Sequence, residues 1–299
     1  MQPLERGAGW ALNAPLSTRS FTYRLVSSMR FRRKSLDPFR RFKRGLYAAM
    51  SKDAIKADMD ARYDTGNAYP TSSRWAHFHH LDLEKTMAAM LAGETSRRDI
   101  LELGSGTGGV APHNIRDARS IVATDLSDSA LDVARDFFKD RSEISFQQMD
   151  SEAVSFPDDS FDIVIAKEVI EHLQEPEVCI REAHRTLRKG GRLILSSPNR
   201  DSLHLRVNRK LGGTDFVCSG DHIKEFTYPE MVALLCDHGF TIESSEGVTL
   251  MPYHCVEGVF PAAIADAEDR DEEFIEWLRI LGRRAGPEFA FCYIILARK

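Results

Sequence analysis

A glycine-rich turn between two carboxylates is the part of the sequence best suited to bind and hold a reactive ligand. A short apolar run ends at Glu102 and Leu103, and three alternating glycines follow it: Gly104, Gly106 and Gly108. Glycine lets the backbone turn sharply and lets a ligand approach main-chain N–H groups closely. A second apolar run, 121–124, ends in Asp125, and a carboxylate at that distance suits a ribose diol. The pattern predicts a nucleoside site.

Two cofactors fit these residues. Gly104, Gly106 and Gly109 match the dinucleotide pattern G-x-G-x-x-G, with Asp125 placed for the ribose of NAD. Glu102 and the glycines also fit a nucleoside that carries a charged amino-acid tail and no pyrophosphate, which is S-adenosylmethionine. The turn by itself leaves both cofactors open.

A second chemical cluster consists of Glu168, Glu171 and His172. On a helix these residues stand at i, i+3 and i+4, so their side chains would share one face. Two carboxylates and an imidazole on one face could bind a divalent metal such as Mg²⁺. Alternatively, the acids stabilise a helix start and His172 hydrogen-bonds to the backbone. The ordinary pKa of an imidazole also suits His172 as a base at neutral pH.

The elements that must position these residues alternate between strands and helices. Apolar runs predict strands near 100–103, 121–124, 144–146, 161–166, 192–196, 240–248 and 289–297. Helical patterns lie between them, and Gly190 with Gly191 is expected to end the helix at 178–187. Such alternation predicts an α/β fold with a parallel sheet and helices on both faces. The glycine strand is not followed by a second mononucleotide half, which disfavours NAD.

The motifs, taken in order, resemble those of the class I S-adenosylmethionine-dependent methyltransferases of the type 11 group. The resemblance covers roughly residues 97–245. It rests on LELGSGTG at 101–108, ATDLS at 123–127, MDS at 149–151, FDIVIAKEVIEHL at 161–173, LRKGGRL at 187–193, and a last motif from Phe226-Thr227 to Gly239-Phe240. It implies a Rossmann-like, seven-stranded, mostly parallel sheet and S-adenosylmethionine as methyl donor.

The same resemblance implies roles for individual residues. The methionine end of the cofactor would lie against Glu102 and the turn formed by Gly104, Ser105, Gly106 and Gly108. Asp125 would bind the ribose, with Leu126 against the adenine. Asp150 would accept from the adenine amino group, with Ser151 beside it, and Lys167 would border the site of methyl transfer. Tyr63 and Trp75 could cover the ligand or pack on the core.

For the methyl acceptor, the Glu168-to-His172 pattern is similar to that of ubiquinone-pathway O-methyltransferases and of small-RNA 3′-end 2′-O-methyltransferases. This similarity implies O-methylation with His172 and His222 as catalytic residues, although His222 could equally pack beside the helix that starts at Thr227. We expect a small-molecule or lipid acceptor. The alternatives are RNA 2′-O-methylation, which the acidic body disfavours, a non-catalytic S-adenosylmethionine-binding protein, and a dehydrogenase.

Charge separates the first fifty residues from the rest of the chain. The net charge is −5, yet residues 1–50 hold eleven Lys and Arg against two acids. From Pro38 onward, Phe39, Phe42 and Leu46 predict a basic amphipathic helix that could lie on an anionic membrane or act as an organelle transit segment. Alternatively, residues 1–50 are a disordered tail, or an upstream extension of a protein translated from Met50.

The expected domain organisation is a flexible basic arm at 1–50 and a methyltransferase domain at 51–299. Within that domain we expect a core at about 97–245, a helical cap at about 250–288 and a final strand at 289–298. The cap could form an apolar acceptor pocket or extend the core. Five scattered cysteines without a C-x-x-C pair, and no long apolar run, predict reduced thiols and a cytoplasmic location.

Overall fold

A seven-stranded sheet forms the centre of the computed structural model, which describes residues 44–64, 74–210, 221–250 and 272–299. Its strand order is β3-β2-β1-β4-β5-β7-β6. The strands are β1 Asp99–Leu103, β2 Ser120–Asp125, β3 Ile144–Gln148, β4 Phe161–Lys167, β5 Leu187–Pro198, β6 Thr241–Val248 and β7 Cys292–Arg298. Strands β1 to β5 pair in parallel, whereas β7 is antiparallel to both β5 and β6. The predicted Rossmann-like, mostly parallel sheet is confirmed.

Besides the helical stretch at 44–49, eight described helices surround the sheet. They are α1 Lys52–Asp64, α2 Arg74–Met90, α3 Val110–Asn114, α4 Asp128–Phe137, α5 Pro176–Thr186, α6 Leu203–Lys210, α7 Tyr228–Asp237 and α8 Glu272–Ala285. Side chains fix two helix starts: Ser127 accepts a hydrogen bond from Ala130 N, and Thr227 forms a reciprocal capping box with Glu230. Within the described ranges, no helix has both the length and the apolar content that crossing a membrane requires.

Apolar side chains are buried on both faces of the sheet because successive residues of a strand point to opposite sides. Leu101 and Leu103 of β1 belong to one buried cluster, and Ile100 belongs to the other, where it joins Ile121 and Met87. Fully burying an aliphatic side chain of this size contributes roughly 1.5–3 kcal/mol. The two apolar layers hold the strand ends, and therefore the loops that follow them, in fixed positions.

Two local expectations are wrong. Gly190 and Gly191 do not end a helix, since α5 stops at Thr186 and the glycines lie in an irregular part of β5 where pairing with β4 shifts register. The segment after β4 is also not a regular helix. Glu168 has φ of +51°, and only a short 3-10 turn, Ile170–His172, follows it.

The expected arm and cap fall largely outside the described residues. The described chain begins with a helical stretch at 44–49, within which Tyr47 is buried. Nothing is described for residues 1–43, so the membrane-binding and transit-segment predictions are not addressed. Of the predicted cap at 250–288, residues 251–271 are not described, and the remainder contains α8.

Candidate functional site

A pocket lies at the carboxyl ends of β1, β2 and β4, where the strand order changes direction. Its volume is about 910 Å³, measured with its open mouth. Open α/β sheets bind ligands at such a switch point. Six residues predicted to bind a cofactor line this one pocket: Gly104, Gly106, Asp125, Leu126, Asp150 and Ser151.

The wall facing these residues comes from chain segments that precede the sheet. It contains Tyr47, Lys52, Ile55, Met59, Arg62 and Tyr63. The phenol oxygen of Tyr63 would lie 3.2 Å from a Cβ placed on Gly106. Of these six residues, sequence reasoning named only Tyr63. The i, i+4 spacing of Ile55 and Met59 on α1 was the available signal for a buried helix face. The side chain of Trp75 is not described.

Asp125 fixes the glycine turn and also faces the pocket. Its Oδ2 accepts a hydrogen bond from Gly106 N at 2.8 Å, and its Oδ1 accepts one from Ser127 N at 2.9 Å. The residue is only 4% exposed, and this burial raises the pKa of its carboxyl. A carboxylate has about four lone-pair sites. Asp125 therefore retains the capacity to accept from a ribose diol.

Glu102 lies behind the turn, outside the pocket lining. Its two oxygens accept hydrogen bonds from Val110 N at 2.5 Å and Ala111 N at 2.8 Å, at the start of α3. Burial raises the pKa of this carboxyl to about 7. In this position Glu102 orders the turn from behind, and its direct contact with a cofactor stays a prediction.

Three further predicted residues also lie outside the pocket lining. Ser105 N donates to Thr124 O at 2.8 Å, whereas the buried Ser105 Oγ has no hydrogen-bond partner among the described residues. A Cβ on Gly108 would lie 2.8 Å from the ring of Phe138. Lys167 forms an ion pair with Glu84 at 2.6 Å. These contacts support the loop, and the cofactor roles of all three residues stay predictions.

The expectation that Glu168, Glu171 and His172 share one face is wrong. The left-handed backbone of Glu168 turns its side chain into the pocket wall, where Oε1 accepts from Cys292 Sγ at 3.0 Å. Glu171 is fully buried and groups with other ligand atoms, although it lies close enough that, in addition to burial, the charge of Glu168 raises its pKa. Its Oε2 accepts from Ser197 Oγ at 3.1 Å, and Oε1 has no partner among the described residues. The three-residue donor set predicted for Mg²⁺ is therefore not assembled.

Instead, Glu171 groups with His172 and His222, whose ligand atoms all lie within 4.8 Å of one another. Two nitrogens and one oxygen do not match the oxygen-rich octahedral shell that Mg²⁺ requires, although they could hold a transition-metal ion. The two imidazoles meet edge to face with ring centres 4.7 Å apart. Sequence reasoning left open whether His222 joins His172, and the structure places them together.

Burial and neighbouring charges shift the pKa values of His172 and His222 in opposite directions. Burial, assisted by the charge of His222, lowers the pKa of His172 to about 4. Burial also opposes protonation of His222, but its hydrogen bond to Glu225 at 2.7 Å and the charge of Glu171 raise its pKa to about 9. Burial raises the pKa of Glu171, and the charge of His222 opposes this rise. Of Glu171, His172 and His222, only His172 lines the pocket. It therefore presents a neutral imidazole to the pocket, and the protonated His222 lies behind it.

Comparison with known sequences finds one family and several partial relatives. Residues 101–195 match the family described as "Methyltransferase domain", Methyltransf_11. The Mycobacterium tuberculosis protein named "Probable S-adenosylmethionine-dependent methyltransferase Rv3030" is 32% identical over 150 residues, which is 50% of this chain and 51% of the relative. A malonyl-[acyl-carrier protein] O-methyltransferase of Paenibacillus is 35% identical over 40% of this chain and 48% of its own length.

A third relative is the ubiquinone/menaquinone biosynthesis C-methyltransferase UbiE of Shewanella oneidensis. It is 31% identical over 35% of this chain and 44% of its own length. The chain thus spans about half the length of the curated relatives it matches. By their names, two of these relatives methylate different atoms, oxygen in one and carbon in the other.

Solved structures share the fold. An S-adenosylmethionine-dependent methyltransferase of Mesorhizobium loti superposes with a TM-score of 0.50 at 19% identity, covering 73% of this chain and 98% of that one. A chain of the Haloferax volcanii complex between the Trm112 methyltransferase activator and a methyltransferase gives 0.56 at 18% identity, covering 82% of this chain and 96% of that one. At these identities the likeness concerns the fold alone.

Proposed function

Since the chain carries a methyltransferase domain, we propose that it transfers a methyl group from S-adenosylmethionine to an acceptor bound beside His172. One observation carries this proposal. A single pocket joins the glycine turn, Asp125 and Asp150 to the imidazole of His172. The chemistry of the sulfonium is the cofactor's own, so the chain has to bind it, align the acceptor and exclude water.

The pocket residues support a nucleoside with a charged tail. Asp125 would accept from the ribose hydroxyls, and Asp150 with Ser151 would receive the adenine edge. Gly104 and Gly106 leave room for the tail because neither has a side chain, and the wall formed by α1 would cover it. The dehydrogenase alternative would require space for a second nucleotide, because NAD is a dinucleotide, and it is therefore not the function proposed.

His172 is the group proposed to act on the acceptor. A neutral imidazole at the pocket wall can accept a hydrogen bond from an acceptor hydroxyl and take its proton as the methyl group is transferred. With a pKa of about 4, His172 is a weak base, so a more acidic hydroxyl such as that of a phenol would give up its proton to it more readily than an aliphatic alcohol would. Oxygen as the acceptor atom, and a small molecule or lipid as the acceptor, are part of this proposal.

Calorimetry with the full chain tests the cofactor. S-adenosylhomocysteine should bind, whereas NADH should give no heat. A saturating ligand at 100 times its dissociation constant should also stabilise the fold by about 2.7 kcal/mol. Binding of NADH in place of S-adenosylhomocysteine would refute the methyltransferase assignment.

Turnover separates an enzyme from a non-catalytic cofactor-binding protein. Phenols, fatty acids and short RNAs should be offered with S-adenosylmethionine, and formation of S-adenosylhomocysteine measured. His172→Gln should lose turnover while its cofactor affinity stays unchanged. Methylated RNA would favour the 2′-O-methyltransferase alternative, and a methylated carbon or nitrogen would exclude O-methylation.

The predicted location and the role of the arm belong to the same proposal. We expect a cytoplasmic protein whose basic first residues bind anionic membranes. The full chain should then sediment with vesicles that contain phosphatidylserine and should remain in solution with phosphatidylcholine vesicles alone. Equal sedimentation with both would contradict an electrostatic attachment.

A further inference from the structure

A second group of potential metal ligands lies beside the pocket, and it shares no residue with the group formed by Glu171 and its histidines. It consists of His79 on α2, Glu168 after β4 and Cys292 at the start of β7, with their ligand atoms within 4.8 Å of one another. His79 and Cys292 are buried, and Glu168 also lines the pocket. Three distant parts of the sequence thus bring an imidazole, a carboxylate and a thiol to one point.

From this convergence we propose that His79, Glu168 and Cys292 bind a zinc-class metal ion in the wall of the pocket. Zinc takes Cys, His and carboxylate ligands at about 2.0–2.3 Å in a tetrahedron, which separates the ligand atoms from one another by about 3.5 Å. Here Cys292 Sγ lies 3.5 Å from His79 Nε2 and 3.0 Å from Glu168 Oε1, and His79 Nε2 lies 3.8 Å from the same carboxylate oxygen.

Surrounding contacts fix the orientation of these side chains. His79 Nδ1 lies 3.2 Å from Thr249 Oγ1, a hydrogen bond that leaves Nε2 directed at Cys292 and Glu168. Such outer contacts set the tautomer of a metal-binding histidine. The backbone of Glu168 is held in its left-handed conformation by Ser196, whose carbonyl accepts from Glu168 N at 3.1 Å. Non-glycine residues adopt this conformation mainly where the surroundings impose it.

The chemistry of the donors selects the ion. Thiolate and imidazole favour zinc or cobalt over Mg²⁺ and Ca²⁺, which prefer oxygen shells. Binding requires the thiol of Cys292 to release its proton to solvent, so affinity should rise with pH. The fourth position would be taken by water or by His80, whose Nδ1 lies 3.5 Å from Glu168 Oε2. This site does not depend on methyl transfer.

The test measures metal binding by the full chain after chelation and dialysis. In a His222→Gln background, which breaks the other group of potential ligands, one equivalent of Zn²⁺ should remain after gel filtration, and Co²⁺ should produce the charge-transfer absorption of a cobalt–thiolate bond. Cys292→Ser should abolish that absorption and weaken zinc binding at least 100-fold. Thr249→Val should weaken it by about 10- to 100-fold, because only the outer contact is lost.

Two control variants keep the result specific. Cys236→Ser removes an exposed thiol and should change nothing, and His222→Gln should retain the cobalt–thiolate absorption. The far-ultraviolet circular dichroism spectrum and the urea unfolding midpoint of each variant report that it is folded. The proposal is overturned if wild-type protein binds no zinc, if its cobalt complex lacks thiolate absorption, or if Cys292→Ser binds zinc normally.

Discussion

The carboxylate of Asp125 accepts hydrogen bonds from its own loop and is also proposed to bind the ligand. Asp125→Asn keeps the shape of the side chain but replaces one acceptor oxygen by a donor and removes the charge. Since hydrogen bonds to charged groups contribute about 1.5–3 kcal/mol, we expect roughly 10- to 150-fold weaker binding of S-adenosylhomocysteine. Asp128→Asn alters an exposed acid nearby and should leave the calorimetric affinity unchanged. Equal losses in both variants would argue against a specific role for Asp125.

The paired histidines give a prediction about protonation. In metal-free protein, the NMR signal that disappears in His172→Gln should titrate at about pH 4, because burial and the charge of His222 disfavour its protonated form. The signal lost in His222→Gln should show that the imidazole of His222 stays protonated up to about pH 9. A raised folded-state pKa also means that the stability contributed by His222 is complete below about pH 6.5 and is lost as the pH rises toward 9. Titration of His172 near 6.5 would contradict this arrangement.

At the scale of elements, the glycine turn after β1 depends on close packing as well as on backbone freedom. Gly104 and Gly190 both have positive φ, +63° and +77°. A Cβ on Gly104 would overlap Val169, whereas one on Gly190 would meet nothing within 4 Å. Gly190→Ala should therefore cost only the backbone strain of about 1–2 kcal/mol. Gly104→Ala should cost about 1–3 kcal/mol more in urea unfolding, and should weaken cofactor binding.

The helical stretch at 44–49 connects the start of the described chain to the pocket. Tyr47 lines the pocket, Arg44 Nε donates to Ile223 O at 2.6 Å, and Gln174 Nε2 donates to Met50 O at 2.8 Å. A chain that begins at residue 44 serves as the reference for the affinity for S-adenosylhomocysteine. Removing residues 1–49 should weaken it about tenfold or more, which is about 1.4 kcal/mol. Equal affinities would show that a protein translated from Met50 keeps a complete pocket.

The sequence predicted the sheet well because its central strands, such as β1 and β4, are buried on both faces and leave apolar runs separated by turns. Asp125 and Asp150 follow such runs, so their meeting at one edge could be foreseen. The wall from Tyr47 to Tyr63 could not be foreseen. Its residues are far from the glycine turn in the sequence, and their contacts with it depend on tertiary packing. That Glu168 and Glu171 belong to different groups of potential ligands was missed for a different reason. Spacing assumes a helical backbone, and a single left-handed residue breaks that assumption.

Across the whole molecule, charge is arranged differently at the two ends of the strands. At the end opposite the pocket, Asp99 bonds with Arg119 at 2.6 Å and Arg188 at 2.9 Å. Burial alone would raise the pKa of Asp99, but these hydrogen bonds and one from Ser120 lower it to about 2. The stability it contributes is present above its unfolded value of 3.8 and is lost as the pH falls toward 2.

Asp99→Asn should therefore lower the free energy of unfolding at pH 7 by about 1–2 kcal/mol, after allowance for the solvent around the arginines. In urea unfolding the difference from wild type should shrink as the pH approaches 2, while cofactor affinity stays constant. Asp132→Asn, which alters an exposed ion pair on α4, should cost less than about 0.5 kcal/mol. A large loss of cofactor affinity in Asp99→Asn would show that the two ends are coupled.

The positive φ of Glu168 also bears on how far a short motif can be transferred between proteins. The letters EVIEH at 168–172 do not by themselves specify a backbone conformation. A helical first glutamate would place both acids on one helix face. With the left-handed Glu168 seen here, Glu168 groups with His79 and Cys292, whereas Glu171 groups with His172 and His222. The torsion angle of one residue thus decides whether five identical letters describe one binding site or two.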